Sequence, residues 1–265
     1  MAGQDLKSVI LGASQLDVLC VGDAMLDTFV YVYVERITPE APVPVLRDSH
    51  RANMPGGAAN TARNLAALGT RVHLVAAAGS DDAGCTLHDL LAATKGIDPQ
   101  LIQSSNLATI HKTRFVSSGQ QLLRVDQEPV LDLGPDAEAL LVSALQKASD
   151  CASAVLLSDY AKGTVTIGVI SAVLEIAAHK QIPIIVDPKG YDLARYGNVA
   201  LIKPNATELA AVTNLPTDSD EEVELALRRS LDLCSADSIM VTRAAKGLSF
   251  VERSNPHVRH MRVLT

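Results

Sequence analysis

Val18-Leu19-Cys20-Val21-Gly22-Asp23 is a short apolar run that ends on a glycine and a carboxylate. The same arrangement recurs down the chain. Val72-His73-Leu74-Val75-Ala76-Ala77 leads to Gly79, and Ala154-Val155-Leu156-Leu157 to Ser158-Asp159. Ile182-Pro183-Ile184-Ile185-Val186 leads to Asp187, Ala200-Leu201-Ile202 to Lys203 and Asn205, and Ile239-Met240-Val241 to Thr242. Runs this short and this rich in branched residues predict strands buried on both faces of a parallel sheet.

Helical spacing fills the gaps. Ala83, Leu87, Leu90, Leu91 and Thr94 share one face before a stop at Gly96. Leu140, Leu141, Ala144, Leu145 and Ala148 repeat the pattern, as do Val169, Ile170, Val173, Leu174 and Ala177. Alternating strands and helices predict an open α/β sheet with right-handed crossovers.

Two segments break the rhythm. Thr28-Phe29-Val30-Tyr31-Val32-Tyr33-Val34 alternates aromatics with valines, and it holds three of the chain's eight aromatic residues. Lys112 to Asp126 places two apolar stretches around Ser117-Ser118-Gly119, a hairpin pattern. Together they predict a small β-sheet flap over a site, with lid segments near 28–47 and 111–127, that also touches a second subunit. The alternative is that they are ordinary strands of the main sheet.

The 265 residues are 48% hydrophobic and 20% charged, which suits one folded domain spanning 1–265. A formal net charge of -7, with no basic run longer than Arg228-Arg229, argues against a nucleic-acid partner. No apolar stretch approaches the ~20 residues that a membrane span needs. Cys20, Cys85, Cys151 and Cys234 show no Cys-x-x-Cys spacing, so they read as buried free thiols of a cytoplasmic protein.

Ligands of open α/β sheets bind beyond the carboxyl ends of the strands. The residues delivered there are Asp23, Asp27, Asp159, Asp187, Lys189, Lys203, Asn205, Glu208, Thr242 and Arg243. Carboxylates mixed with lysines and an amide suit magnesium and phosphates, although each residue alone could be a helix cap. Pro55-Gly56-Gly57-Ala58-Ala59-Asn60 opens a helix where backbone can approach a ligand, or else forms a tight packing turn. No Gly-x-x-x-x-Gly-Lys-Ser/Thr loop and no strand-borne Gly-x-Gly-x-x-Gly is present.

Five segments taken together resemble the ribokinase-like (PfkB) carbohydrate kinases. They are Val21 to Asp27, Gly56 to Asn60, Asp187 to Gly190, Pro204 to Glu208 and Val241 to Gly247. Arg36 to Pro44, Gln120 to Asp126 and Leu157 to Gly163 are similar to the kinase part of bacterial heptose 7-phosphate kinase/ADP-heptose synthases. The resemblance implies a three-layer, mainly parallel sheet with a β-lid, and a homodimer through that lid. It implies transfer of the ATP γ-phosphoryl group to the anomeric hydroxyl of D-glycero-D-manno-heptose 7-phosphate, on the route to ADP-heptose and lipopolysaccharide core. Asp27, Gly56, Gly57 and Asn60 would hold the sugar. Asn205, Ala206, Thr207, Glu208, Thr242 and Gly247 would meet ATP, with Asn205 and Glu208 organising Mg2+ through phosphate or water. Asp187 and Lys189 would support the transferred phosphoryl group.

One departure stands out. The family's Gly-Ala-Gly-Asp motif, which carries the base for the acceptor hydroxyl, occurs nowhere up to Thr265. The reading therefore expects a C-terminally incomplete fold with an exposed sheet face and little or no kinase activity from this polypeptide alone. A non-catalytic sugar- or nucleotide-binding protein, or a kinase for another sugar, is the alternative.

Overall fold

The computed structural model describes residues 6–129 and 132–263. Nine strands form the main sheet: β1 (Asp17–Gly22), β4 (Arg71–Gly79), β5 (Ile97–Ser104), β8 (Ala154–Ser158), β9 (Ile184–Asp187), β10 (Leu201–Ile202), β11 (Ser238–Thr242), β12 (Leu248–Glu252) and β13 (Asn255–Met261). Their order is β13-β12-β11-β10-β9-β8-β1-β4-β5. The seven from β11 to β5 run parallel, and the β12–β13 hairpin is added antiparallel at one edge. Pro99 is accommodated because β5 is the other edge, where a missing N–H leaves no ladder bond unmade.

A second sheet carries the aromatic-valine segment. β2 (Ala24–Ile37), β3 (Pro44–Gly57), β6 (His111–Ser117) and β7 (Gln120–Gln127) pair in the order β3-β2-β6-β7. Ser118 and Gly119 have φ of 48° and 80°, the left-handed backbone that a two-residue hairpin loop requires between β6 and β7. These strands are separate from the main sheet. β3 runs to Gly57, well past the stretch near 28–47 read from sequence. Residues 47–53 are polar apart from Ala52 and show no alternation, so only their pairing with β2 makes them a strand. On β2, Thr28, Val30 and Val32 are buried while Tyr33 and Val34 are exposed, so the strand covers something along only part of its length.

The helices are α1 (Leu6–Gly12), α2 (Ala58–Ala67), α3 (Asp82–Ala92), α4 (Gly134–Ala148), α5 (Ile167–Lys180), α6 (Ala206–Thr213) and α7 (Asp220–Asp232). Successive residues of β1 point to opposite layers, as the period of a strand demands. Leu19 and Val21 belong to the core cluster that also holds Leu141, Leu145, Val169, Val173 and Leu227. Cys20 packs with Ala58, Ala62, Leu87 and Leu91 on the other side. Leu140 is a correction: it is 58% exposed, because α4 turns it to solvent while Leu141 and Leu145 face the sheet.

Over β8 to β12 the two sheet faces differ. Leu157, Val186, Ile202, Val241 and Val251 are fully buried, whereas Leu156, Ile185, Leu201, Met240 and Phe250 are only half-buried. Leu264 and Thr265 lie outside the described residues. The cysteine reading also needs correcting. All four are free, but Cys85 and Cys151 are exposed and only Cys20 and Cys234 are buried. Burial pushes the Cys20 thiol up to about 12. No described helix is long and apolar enough to cross a membrane.

Candidate active site

Parallel register lines up the strand ends. Gly22 pairs with Ser158 and Ser158 with Asp187, while Ile202 pairs with Val186. The backbone N–H groups one residue further on continue the alignment, Asp23 donating to Ser158 O, Asp159 to Asp187 O and Lys203 to Val186 O. Asn205, beyond β10, forms an isolated parallel bridge with Thr242, the last residue of β11. One rim therefore carries the polar residues that end or follow five different strands.

Toward β10 this rim holds a cavity of about 330 Å³, lined by Asp159, Asp187, Lys189, Lys203, Asn205, Glu208 and Thr242 among others. The Asn-x-x-Glu spacing is a capping box for α6. Asn205 Oδ1 accepts the Glu208 N–H at 2.9 Å, and Glu208 Oε2 accepts the Asn205 N–H at 3.0 Å. The other Glu208 oxygen takes Lys189 Nζ at 2.9 Å, and Lys203 Nζ reaches Asp187 at 2.9 Å. The hydrogen bond to Glu208 holds the Lys189 ammonium above the ordinary lysine range. Ala206 and Thr207 belong to the first turn of α6 and do not line the cavity. Nor does Gly247: a Cβ there would lie 2.0 Å from Met261 O, so its backbone is pressed against the end of β13.

Tyr196, fully buried, ties the cavity floor together. Its hydroxyl donates to Asp159 Oδ2 at 2.8 Å and accepts the Lys189 N–H at 3.3 Å. Burial pushes both groups up, the Asp159 carboxyl and the Tyr196 phenol. Tyr196→Phe removes both contacts and leaves a buried carboxylate short of a donor. It is expected to lower unfolding stability by about 1–2 kcal/mol, read as a lower urea midpoint at unchanged slope.

The other end of the rim meets the second sheet. Asp27 on β2 is paired with the Arg114 guanidinium from β6. Gly56 lies against it, and a Cβ there would stand 2.5 Å from Asp27 Oδ2. Gly57, at φ 59° and ψ -134°, precedes α2. Asn60 is exposed in the first turn of α2.

Asp23 joins the two ends. Its wholly buried carboxylate accepts the N–H groups of Tyr160, Lys162 and Thr164 at 2.8, 3.1 and 2.9 Å. Its carbonyl accepts Ala58 N–H at 2.9 Å. Lys112, Arg114, Lys162 and Glu128 were not singled out as site residues from sequence. The signal was available only in part. Lys112 and Arg114 alternate on one strand, but their register against Asp27 and Phe29 is set by β2–β6 pairing.

Comparison with known proteins agrees with this architecture. Residues 15–263 match the pfkB family carbohydrate kinase profile. The chain is 49% identical over 93% of its length to the bifunctional protein HldE of Hyphomonas neptunium, and 45% identical over 91% to that of Gluconacetobacter diazotrophicus. It spans about half the length of these curated relatives, 51% and 50%. Among solved structures, phosphofructokinase-2 from Escherichia coli in complex with fructose-6-phosphate superposes with TM-score 0.72 at 23% identity, covering 93% of this chain and 79% of that one. Arabidopsis thaliana ribokinase complexed with ribose and ATP gives 0.64 at 21%, covering 94% and 78%. With a ribokinase-like fold and a profile match over nearly its whole length, the chain belongs to the pfkB family of carbohydrate kinases.

Proposed function

We propose that the chain is the kinase part of an enzyme that phosphorylates D-glycero-D-manno-heptose 7-phosphate at its anomeric hydroxyl, in the cytoplasm, on the route to ADP-heptose and lipopolysaccharide core. What supports this is the alignment of five strand ends along one rim, with Asp23 coupling the Asp27–Gly56 end to the loop that follows Asp159. The high identity to proteins named HldE favours the heptose phosphate over other sugars.

On this reading Asp27, Gly56, Gly57 and Asn60 hold the acceptor hydroxyls, and the second sheet closes over them as a lid that excludes water. Asn205, Glu208, Thr242 and the neighbouring Ala206, Thr207 and Gly247 belong to the ATP side, with Lys189 and Asp187 beside the transferred group. The donor set fits magnesium and phosphate. Two carboxylates and an amide suit a hard cation that keeps water and phosphate ligands, and Lys189 and Lys203 suit phosphate oxygens. Bound there, magnesium-ATP would supply the phosphoryl group and the charge neutralisation that its transfer needs.

Tyr33, Val34, Ile37, Leu122, Leu123 and Val125, all exposed on the lid sheet, favour a homodimer that buries them. These 265 residues carry no Gly-x-Gly-Asp aspartate, so slight turnover is expected from them and binding is the decisive measurement.

Calorimetric titration is expected to show binding of heptose 7-phosphate, with ribose and fructose 6-phosphate weaker. Asp27→Ala should reduce that affinity by roughly 10- to 100-fold, the worth of a charged hydrogen bond, with magnesium-ATP affinity little changed. Equal affinity for ribose, or an Asp27→Ala variant that binds as well as the wild type, would sink the reading.

A further inference from the structure

Beside Asp27 the rim carries more positive charge than its carboxylates cancel. Glu128 directly follows β7. Its Oε1 lies 2.8 Å from Lys112 Nζ and its Oε2 2.6 Å from Lys162 Nζ. The lysines come from different bodies of the fold, Lys112 from β6 of the lid sheet and Lys162 from the loop that follows β8. One carboxylate between two ammonium groups leaves one positive charge over, and the adjoining Arg114–Asp27 pair is neutral.

All three side chains are drawn in from solvent, at 17% exposure for Lys112, 25% for Lys162 and 27% for Glu128. Partial dehydration makes an unbalanced charge costly, so an anion with more charge is favoured there. A phosphate monoester carries about -1.5 to -2 charges near neutral pH and three acceptor oxygens. It matches two lysines better than a single carboxylate does.

Position points the same way. Asp27 and Lys112 are register partners on parallel strands, so both project from one face of the lid sheet, and Arg114 lies two residues further along that face. Lys162 belongs to the loop whose N–H groups cap Asp23. The pair of lysines thus sits at the acceptor end of the rim. The ATP-side groups Lys189 and Glu208 lie beyond β9 and β10. Hydrogen bonds from Lys112 and then Lys162 hold the Glu128 carboxyl down at about 2, so it is an anion at neutral pH.

We propose that Lys112 and Lys162 form the subsite for the phosphate that the acceptor sugar already carries, and that Glu128 stands in that phosphate's place until the sugar binds. The subsite selects phosphorylated sugars over free ones, and it couples lid position to acceptor binding because filling it replaces the bridge between lid and loop. The assignment rests on the acceptor side proposed above.

Opposite signs in two kinds of variant test it, with inorganic phosphate, heptose 7-phosphate and unphosphorylated heptose titrated into each folded protein. Lys112→Ala and Lys162→Ala should weaken heptose 7-phosphate roughly 10- to 100-fold and weaken free heptose far less. Glu128→Gln removes the competing anion and should tighten both inorganic phosphate and heptose 7-phosphate by about threefold to tenfold. Circular dichroism melts confirm that each variant is folded. If one lysine variant fails to fold, the other with Glu128→Gln suffices.

Loss of affinity in Glu128→Gln, parallel to that in the lysine variants, overturns the proposal, since the bridge would then only fasten the lid. Phosphate binding that tightens in Glu128→Gln and vanishes in the lysine variants, with no binding of either heptose, keeps the subsite and rejects the heptose reading. Binding of heptose 7-phosphate that none of the three substitutions alters rejects the subsite and keeps that reading.

Discussion

Asp23→Ala is expected to lower unfolding stability by about 3–5 kcal/mol, a large share of the roughly 5–15 kcal/mol that a folded domain typically has. The side chain is wholly buried and its two oxygens accept three backbone N–H groups of the 160–164 loop. Alanine would strand all three donors away from water at ~1–3 kcal/mol each, relieved in part if the loop opens. Asn at this position keeps one acceptor oxygen and should lose about half as much. Urea unfolding gives the stability difference, and hydrogen exchange at Tyr160, Lys162 and Thr164 reports where it arises. A drop below 1 kcal/mol in Asp23→Ala, with those three amides still protected, would show that the carboxylate does not organise the loop.

Gly57→Ala should cost about 2–4 kcal/mol and, on the proposed reading of the site, weaken acceptor binding with it. Two effects add. The backbone at φ 59° and ψ -134° is one that only glycine adopts readily. A Cβ would also stand 2.3 Å from Asp23 O and 2.8 Å from Met25 Cε. The first contact is with the carbonyl that receives Ala58 N–H, so relieving it pulls the start of α2 away from the end of β1 and shifts Gly56 from Asp27. Gly119→Ala separates the two terms: it has φ 80° but open space around the missing Cβ, so about 1 kcal/mol of backbone cost is expected alone. Equal losses in the two variants would mean that the contact with Asp23 is absorbed without moving the helix.

Both predictions concern residues whose chemistry is conspicuous in the chain but whose partners are not. Asp23 follows an apolar run and reads as one more carboxylate at a strand end. Its role as a buried hub depends on a loop nearly 140 residues away, brought alongside by the pairing of β1 with β8. Gly57 reads as ligand-facing or as a packing turn, and the structure shows a backbone confined by its positive φ and by close contact with Asp23.

What the chain alone determined was the α/β architecture, because each buried parallel strand needs a short, continuous apolar run and each covering helix an apolar stripe, and both are local patterns. Val18 to Val21, Ala154 to Leu157 and Ile239 to Val241 carry that information without reference to one another. Local motifs such as Asn205 with Glu208 were equally open to reading, since a capping box closes within four residues. Only the tertiary structure decided that β3 continues through the polar stretch at 47–53, that Leu140 faces solvent, and that Tyr196 braces Asp159. It alone set Lys112 and Lys162 on one carboxylate. Each of those is a contact between segments distant in the chain, fixed by sheet order and register, and no periodicity within a segment encodes the position of its neighbour.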